Sequence, residues 1–511
     1  MKLQGFIGPA YQLNSANVDA QRCVNLYPEV IESGNGKGGQ VAYLKKTPGL
    51  DDLFTLGDGP IRLIHAENFE RDNPVEKNIV YVFSGYKVFA CSYVNGSWQT
   101  KEITRSNGAP GYNSELDSNV GPISAHSVKV SSTSYKTFFV DGYNNFIIES
   151  TNYDGGGTVY SPLAAFAFPP VLGATQVSWI DGYLILIQKN SNQFYVSEWN
   201  GTAFDPLNFA TAEGNPDNIV AQIALNRDLW LFNTQSTEIF TNTGNPDFPF
   251  ERVQSGFIEQ GCSAAFSVAK TAGVVFWLSR DESGSGMVMA AGGPTPQRIS
   301  THAIEQAIST YSDISTARGY TYQKDGHSFY VLNFSEATWV YDLTTKLWHE
   351  RAYLNDGILE RHRGDTHAFL PNLGIHLIGD YQNNKVYELK ESIKTDSGQE
   401  IKRLRSCPHI SNEILGRIFH TSLQVGMETG IGLDGSAQGS DPKIMLRFSD
   451  DGGHTWSNEK QAAIGKLGNY KTRAIWRRLG QSRDRVYEVS VSDPIDVTFI
   501  DAIIDAQGGG N

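Results

Sequence analysis

A short polar segment near residue 450 has the composition of a tight, hydrogen-bonded turn. Ser449–Trp456 reads SDDGGHTW, which matches the Asp-box pattern S-x-D-x-G-x-T-W. At such a hairpin tip the carboxylate of Asp451 accepts backbone N–H groups, Gly453 permits a positive φ, and Trp456 packs beneath the turn. Because the pattern occurs once, we predict that Ser449, Asp451, Gly453 and Trp456 form a structural turn without a catalytic role.

Three side chains of the kind that bind metals lie close together in the sequence, at His362, Asp365 and His367. A zinc site needs a fuller set of ligands in fixed geometry, and the sequence places no further ligand nearby. Arg361 and Arg363 flank the group, and their charges would oppose a bound cation. We therefore predict a polar loop here and no metal site.

The glycines of Gly430–Gly435 fit the spacing G-x-G-x-x-G of dinucleotide-binding proteins. That spacing works only between a strand and a helix whose N-terminus meets the pyrophosphate. The next residues, Ser436–Pro442 (SAQGSDP), do not favour a helix, so we predict a glycine loop between strands. The chain also has no nucleophile elbow, HExxH, P-loop or EF-hand pattern. The sequence therefore predicts no cofactor and no catalytic centre.

The clearest charge anomaly is the segment Lys466–Arg485, which carries seven cations and one acid. The cations are Lys466, Lys471, Arg473, Arg477, Arg478, Arg483 and Arg485, and the acid is Asp484. One interpretation is a solvated strand surface. The other is an electrostatic docking surface for an acidic partner subunit or, as a weaker alternative, for DNA phosphate.

Alternation along a strand would divide this segment between two faces. It sends Lys471, Arg473 and Arg477 to one face and Trp476 and Arg478 to the other, so only one set is expected to dock. Arginine pairs bidentately with carboxylates, and Trp476 would supply the apolar anchor of the contact. We take these five residues as the candidate docking residues toward another subunit or a neighbouring copy.

Composition restricts the class of protein. The 511 residues include 42 Lys and Arg against 55 Asp and Glu, a formal net charge of −13, which argues against broad binding to nucleic acid. Charged residues make up only 19%, and 51 glycines indicate many tight turns, as in an all-β protein. No apolar run approaches the ~20 residues that span a bilayer, and the start shows no secretory leader, so we expect synthesis in a cytosol and no membrane-spanning segment.

Short apolar and β-branched runs recur seven times along the chain. Comparing the fifth residue of each run (82, 139, 186, 231, 277, 330 and 378), the steps are 57, 47, 45, 46, 53 and 48. That period is close to the ~40–50 residues of a four-stranded propeller blade. We predict a β-propeller of about seven blades, with six to eight allowed; two β-sandwiches in series are the alternative. The runs are Asn78–Phe83, Tyr135–Val140, Gly182–Ile187, Arg227–Phe232, Gly273–Leu278, Gly326–Val331 and Gly374–Gly379.

The two ends of the chain lie outside the repeats. We divide the chain into an extended amino-terminal segment (1–55), a propeller (56–395) and a carboxy-terminal β-rich domain (396–511). Strands such as Arg485–Val491 alternate apolar with polar residues, which predicts a β-sandwich-like domain with one buried face per strand. One helix is predicted over Thr301–Ser309, capped by Thr301.

The order of several motifs resembles the tail-hub, or nozzle, proteins of short-tailed bacteriophages (podoviruses), also called packaged-DNA stabilisation proteins. The motifs are Asn25–Pro28 (NLYP), Thr47–Leu50 (TPGL), Ser236–Phe240 (STEIF), Ile299–Ile308 (ISTHAIEQAI), Val425–Gly435 (VGMETGIGLDG), Leu446–Trp456 (LRFSDDGGHTW) and Ile475–Gly480 (IWRRLG). They extend along nearly the whole chain, and the densest match is carboxy-terminal.

The resemblance implies a structural protein of the virion tail, made in the cytoplasm of the bacterial host. It implies a homohexameric ring beneath the portal-adaptor protein, which extends the DNA channel, retains packaged DNA, holds tailspikes or tail fibres and passes double-stranded DNA at ejection. Some relatives also meet a tail needle. Two other classes stay open on the residues alone: a propeller glycosidase or depolymerase, and a receptor-binding propeller that acts on bacterial surface glycans.

Overall fold

The computed structural model of the chain describes residues 1–33, 42–67, 69, 71, 78–105, 116, 119–152, 157–166, 173–201, 203–412 and 416–509. Seven antiparallel sheets follow one another along the chain, each built around a meander of adjacent strands. The first strand of each sheet lies next to the first strand of the following sheet, with the 3-10 helix Ala265–Ser267 between the fourth and the fifth. The first strand of the seventh sheet contacts that of the first, which closes the ring. The predicted all-β propeller is therefore confirmed, with seven blades.

Each blade begins with its innermost strand, at the axis, and ends with its outermost one. Blade 1 contains Ile61–Ala66, Ile79–Ser84, Lys87–Val94 and Ser97–Glu102. Blade 2 contains Ser124–Lys129, Ser134–Val140, Asn145–Asn152 and Thr158–Tyr160, with Ala164–Ala165 also paired to its third strand. Blade 3 contains Ala174–Ile180, Tyr183–Gln188, Gln193–Val196 and Phe209–Thr211. Blade 4 contains Ile219–Leu225, Asp228–Asn233, Thr237–Asn242 and Phe250–Ile258.

The remaining blades follow the same plan. Blade 5 contains Ala269–Thr271, Val274–Arg280, Gly286–Ala291 and Gln297–Arg298. Blade 6 contains Arg318–Lys324, His327–Asn333, Thr338–Asp342 and Leu347–Asn355, with Ile358–Arg361 paired to its outer strand. Blade 7 contains Gly364–Leu370, Ile375–Asp380, Lys385–Lys390 and Gly49–Thr55.

The seven recurring apolar runs form the second strands of the seven blades. These strands are apolar on both faces because each blade packs against a neighbour on either side, and Ile79–Ser84 is buried along its whole length. Apolar side chains fill the space between every pair of consecutive blades; between blades 7 and 1 they include Leu377 and Val80. The hairpin at Asp181 and Gly182 has φ values of 51° and 95°, as a tight turn between twisted strands requires.

Blade 7 takes its outer strand from the amino-terminal segment. Gly49–Thr55 pairs antiparallel with Lys385–Lys390, so the two ends of the propeller sequence are joined by backbone hydrogen bonds. The boundary that we placed after residue 55 therefore falls at the end of a propeller strand. The repeat pattern did not reveal this, because its first member is the second strand of blade 1.

The carboxy-terminal domain is a sandwich of two sheets, as predicted. One sheet contains Cys23–Val24, Arg403–Ser406, Asp484–Val491, Lys443–Ser449 and Lys460–Ala463, and it continues from the outer strand of blade 6. The other contains Leu26–Val30, Ala42–Lys46, Thr498–Gly508, Ile418–Met427 and Ala474–Arg477. Short strands complete the fold at Tyr11–Gln12, Ala20–Gln21, Thr395–Asp396, Gln399–Glu400, Ile410–Ser411 and Gln481–Ser482.

The amino-terminal segment joins the propeller to the sandwich. Cys23–Val24 lies between the outer strand of blade 6 and Arg403–Ser406. Asn25, at a φ of 54°, donates from Nδ2 to the carbonyls of Ala352 and Lys402, both at 2.9 Å. Its Oδ1 accepts the N–H of Ala352 at 3.0 Å. One side chain therefore holds an outer propeller strand and the start of the sandwich together.

The helix His302–Ser309 confirms the predicted one. Thr301 caps it, with Oγ1 accepting the N–H of Ile304 at 3.4 Å. Ile304 and Ile308 are buried in the cluster between blades 5 and 6, so the helix fills the gap between two blades. A second 3-10 helix covers Ile314–Thr316. No helix among the described residues is long and apolar enough to cross a membrane.

Candidate interaction surfaces

The Asp-box segment forms a closed turn after the strand Lys443–Ser449. Oδ1 of Asp451 accepts the N–H of Thr455 at 2.8 Å, and Oδ2 accepts the Thr455 hydroxyl at 2.6 Å. The hydroxyl of Ser449 donates to Oδ1 at 2.6 Å. The hydrogen bonds from Ser449 and Thr455 lower the pKa of Asp451, which therefore stays ionised and is a poor proton donor. Gly453 has a φ of 98°, a conformation that favours glycine.

The surroundings of this turn are also those of a structural element. A Cβ at Gly452 would lie 1.9 Å from Oδ1 of Asn17, so the turn packs directly on the amino-terminal segment. Trp456 is half-buried, and the guanidinium of Arg447 lies 4.6 Å from the centre of its ring. The turn packs the sandwich against residues near the start of the chain. This structural role accounts for the residue types of the Asp-box segment, and no substrate is needed to explain them.

The basic segment divides into buried and exposed residues. Arg485 is buried and forms an ion pair with Asp450, with Nε 2.5 Å from Oδ1. Trp476 is 5% exposed, and its indole N–H donates to the carbonyl of Lys460 at 2.9 Å. Trp476 therefore belongs to the core of the sandwich, and it cannot be the apolar anchor that we expected it to provide. Its position next to Arg477 and Arg478 gave no sign of this, because alternation does not say which face of a strand is covered.

The other candidate residues are exposed but do not share one strand. The strand spans only Ala474–Arg477, with Lys471 in the preceding loop. Arg473 donates to Oε1 of Gln424 at 3.2 Å through its Nε. Arg478 has a φ of 60° and ends the strand, so the face that we assigned to it by alternation does not apply. Within the described part of the chain, Lys471, Arg477 and Arg478 form no ion pair.

The glycine loop and the basic loop form one tip of the sandwich. The N–H of Gly468 donates to the carbonyl of Gly430 at 3.0 Å, and Oγ1 of Thr429 donates to the carbonyl of Tyr470 at 3.0 Å. A Cβ at Gly430 would lie 2.7 Å from the backbone nitrogen of Tyr470. The glycines thus permit the close approach of two loops. This agrees with the predicted glycine loop between strands. The glycine loop packs directly against the loop of the basic segment.

The group at residues 362–367 lies in the protein interior. Asp365 forms ion pairs with Arg318 and Arg361, which occupy both of its oxygens. His367 lies 3.0 Å from Nδ1 of His376, and burial lowers its pKa to about 3, so it stays neutral. Among the described residues, no group of three or more His, Cys, Asp or Glu side chains could hold a metal ion.

Side-chain hydrogen bonds join the inner strands of two neighbouring blades and a 3-10 helix. Nε2 of Gln176 in blade 3 donates to the carbonyl of Ala265, next to blade 5, at 2.9 Å. The N–H of Gln222 in blade 4 donates to Oε1 of Gln176 at 2.7 Å. These hydrogen bonds link blades 3 and 4 to the 3-10 helix Ala265–Ser267 and narrow the space between them.

One cleft brings several carboxylates together near an aromatic ring. It has a volume of about 760 Å³, lies between blades 4 and 5, and is lined by Phe257, Glu259, Asp281 and Glu282 among others. Hydrogen bonds from Ser283 and the neighbouring backbone lower the pKa of Asp281, which favours the ionised form. A glycosidase needs one carboxyl group that keeps its proton, and Asp281 does not meet this need.

The family comparison decides the class of protein. The family model described as "Bacteriophage P22 Gp10, beta-propeller" matches residues 115–394, and the model described as "Bacteriophage P22 Gp10, beta-sandwich" matches residues 402–507. The chain belongs to the bacteriophage P22 Gp10 family. This family is that of the tail hub and DNA-stabilisation proteins, which confirms the resemblance seen in the sequence. The Gp10-family chain is thus a structural protein of a phage tail and a component of the virion.

Solved structures give only a distant likeness. The WD40 domain of coronin from Toxoplasma gondii has a TM-score of 0.37 and 9% identity, covering 75% of this chain and 87% of its own. A humanised mutant of Polycomb Repressive Complex 2 from Chaetomium thermophilum, bound to the inhibitor GSK126, also has a TM-score of 0.37 and 9% identity, covering 67% and 97%. A search among curated proteins finds no match.

Proposed function

We propose that this tail protein forms a homohexameric ring, the hub or nozzle, which extends the DNA channel below the portal-adaptor protein. In this proposal the ring retains packaged DNA, holds tailspikes or tail fibres, and lets double-stranded DNA pass at ejection. Its other partner is a tail needle where one is present. The observation that carries the proposal is the match of both domains to one tail-protein family, in the order in which the chain contains them.

The build of the chain suits a load-bearing spacer. The outer strand of blade 7 comes from the amino-terminal segment, and the outer strand of blade 6 continues into a sheet of the sandwich. The two domains cannot separate without breaking these backbone pairings. A rigid body with many surface loops can contact several tail proteins at once.

The charge and the axis both bear on the path of the DNA. In this proposal DNA passes between copies and not through one copy, because side-chain hydrogen bonds narrow the interior of each propeller. Six copies at −13 each would carry −78 (6 × −13). A channel wall with few cations would not neutralise DNA phosphates, so it favours sliding over binding. The proposal therefore includes no sequence-specific DNA contact.

The docking of the ring to its neighbours is assigned to the exposed cations of the basic segment. Lys471, Arg473, Arg477 and Arg478 remain the candidate docking residues, and Trp476 supports them from inside. Arginine side chains on a surface suit pairing with carboxylates of another subunit. We propose no enzymatic activity, in line with a family of structural proteins.

Microscopy and particle assays test this function directly. Negative-stain images of the purified protein should show six-fold rings, and native mass spectrometry should give six times the 56.3 kDa of one chain. Virions assembled without this protein should package DNA and then lose it, and wild-type protein supplied in trans should restore retention. A protein that stays monomeric, and whose loss leaves DNA retention intact, would refute the proposal. Reproducible cleavage of host glycans would favour the depolymerase instead.

A further inference from the structure

Buried polar atoms without a protein partner are concentrated where blades 6 and 7 meet the sandwich. Among the described residues, most of the buried side-chain nitrogen and oxygen atoms that form no hydrogen bond belong to residues 320–403. Protein interiors satisfy nearly all such groups, and they use ordered water or a bound ion where the chain offers no partner. This interior therefore calls for a partner that the chain itself does not supply.

Arg351 lies at the centre of this region. It belongs to the outer strand of blade 6, Leu347–Asn355, and is only 1% exposed. Its Nη2 donates to the carbonyl of Pro48 at 2.9 Å, whereas its Nε and Nη1 have no acceptor in the described part of the chain. A guanidinium keeps its charge inside a protein, so these N–H groups are donors that need an acceptor.

Two imidazoles lie beside Arg351. His349 precedes it by two positions and so shares its face of the strand. The backbone N–H of His362 donates to Oγ1 of Thr338, which is the residue opposite Arg351 on the adjacent strand. Burial lowers the pKa of His349 to about 3 and also lowers that of His362, so both rings are neutral.

The two neutral rings add further N–H donors. Nδ1 of His362 accepts the N–H of Gly364 at 3.1 Å, which leaves the ring proton on Nε2. Among the described residues, Nε2 of His362 has no acceptor, and neither nitrogen of His349 has a partner. The surroundings of Arg351 are thus rich in donors.

The charges near Arg351 do not balance. Asp396 pairs with Leu50 of the outer strand of blade 7, and Arg403 donates from Nη2 to the carbonyl of Lys394, two residues before Asp396, at 3.2 Å. Burial raises the pKa of Asp396 to about 6, although Arg351 and Arg403 act to lower it. Within the described residues, neither arginine forms an ion pair, and Oδ1 of Asp396 has no partner. Two buried guanidinium groups therefore share one carboxylate that contacts neither of them.

The other carboxylates of this interior already have cations of their own. The pairs are Asp365 with Arg318 and Arg361, Asp342 with His327, Asp380 with Arg363, and Glu391 with Lys46. An excess of positive charge is left at Arg351 and Arg403. Burying a charge without compensation is costly, so the excess favours a negative partner.

We propose that Arg351 binds a small inorganic anion, of the size and charge of chloride, in the interior where blades 6 and 7 meet the sandwich. Nε and Nη1 of Arg351 donate to the anion, and the rings of His349 and His362 add N–H groups. A water molecule would also accept from Arg351, but it would leave the positive charge uncompensated. The anion supplies both an acceptor and a charge, and it holds the outer strand of blade 6 to the amino-terminal segment at Pro48.

Hydrogen exchange of the full chain tests this site. The protein is dialysed into gluconate buffer, and gluconate is then replaced by chloride at constant ionic strength. An anion that binds only the closed interior slows local opening by the factor 1 + [anion]/Kd, so at about ten times Kd the amides of Leu347–Asn355 should exchange about tenfold more slowly. The amides of Tyr183–Gln188 in blade 3 should not change.

Replacing the arginine separates the site from general salt effects. Arg351→Met keeps the length of the side chain and removes its charge and donors, so the response to chloride should vanish. The matched control is Arg280→Met, which removes the same charge from an exposed side chain of blade 5 and should keep the response of the wild type. If Arg351→Met does not fold, Arg351→Lys keeps the charge with fewer donors, and the chloride concentration for half of the effect should rise at least about tenfold.

Crystals of the wild type grown in bromide give a readout that needs no variant. We expect an anomalous peak within hydrogen-bonding distance of Nε and Nη1 of Arg351. No response to chloride together with no bromide peak at Arg351 would mean that water alone fills the site, which overturns the inference. A response that survives Arg351→Met or is unchanged in Arg351→Lys would locate the anion elsewhere, and a stronger response to phosphate than to chloride would contradict a small monovalent ion.

Discussion

The side chain of Asn25 joins the propeller to the sandwich, and replacing it with glycine measures the strength of that joint. Glycine accepts the φ of 54° without strain, so Asn25→Gly removes the amide group and leaves the backbone conformation possible. The lost contacts are the two donations to Ala352 and Lys402 and the one acceptance from Ala352. The variant therefore isolates three hydrogen bonds at the junction.

The expected size follows from the number of bonds. Each contributes about 1 kcal/mol net, which gives about 3 kcal/mol for the three. The larger freedom of glycine in the unfolded chain adds less than about 1 kcal/mol. Because about 1.4 kcal/mol corresponds to a factor of ten, the local opening equilibrium at the junction should rise roughly 100-fold. Asn25→Asp should be at least as damaging at pH 7, since its carboxylate would face two carbonyl oxygens.

Hydrogen exchange is the suitable assay, because a chain of this size does not unfold in one step. Amides of Leu347–Asn355 and Arg403–Ser406 should exchange faster in the variant, and those of Tyr183–Gln188 in blade 3 should not change. Exchange at the junction that stays within threefold of the wild type would refute the reasoning. An equal acceleration in blade 3 would do so as well, because it would mean that the propeller and not the joint had weakened.

Three further changes test other contacts. The carboxylate of Asp342 lies 2.7 Å from the ring of His327 and is the main cause that raises the pKa of His327 to about 9. The stability that this charged pair adds is therefore full below pH 6.5 and is lost as the pH rises through 9. The difference in Tm between the wild type and His327→Gln should shrink over that range, and a constant difference would contradict the charged pair. Because the pKa of Asp451 is lowered, the turn that it closes should stay closed as the pH falls through 3.8. Asp451→Asn should speed the amide exchange of that turn without loss of any binding activity. Loss of a binding activity with unchanged amide exchange would favour a ligand site. Trp476→Ala should destabilise the sandwich by about 3–5 kcal/mol in denaturant unfolding, because Trp476 is buried. Arg477→Glu should leave the unfolding curve unchanged. A larger loss of stability in Arg477→Glu than in Trp476→Ala would show that Trp476 is not a core residue.

The repeat pattern predicted the propeller because its signal is local. Each second strand is apolar on both faces, so runs such as Gly182–Ile187 stand out in the sequence and recur at the spacing of a blade. The outer strand Gly49–Thr55 has no such signal, since its pattern mixes buried and exposed residues and its partner lies more than 300 positions away. Closure of the ring by the amino-terminal segment is therefore a property of tertiary structure.

The basic segment shows the same limit at the level of single side chains. Composition marked the segment correctly as a surface with excess cations, but it could not separate Arg485, which is buried against Asp450, from its exposed neighbours. The positive φ of Arg478 also interrupts the alternation on which the faces were assigned.

The proposed passage of DNA between copies depends on how the centre of one propeller is occupied. Gln176 and Gln222 on neighbouring inner strands are hydrogen-bonded to each other, and Gln176 also bonds the backbone next to blade 5, which narrows the interior of one propeller. A channel wide enough for a duplex then requires several copies around a common axis. Such an arrangement needs a contact between copies, and a head-to-tail contact closes into a ring only when the rotation from copy to copy returns to the first one. Salt offers a simple check of the docking that we propose for the exposed cations of the basic segment. If their charges contribute, assembly should weaken steadily as ionic strength rises, and assembly that is indifferent to salt would contradict that docking.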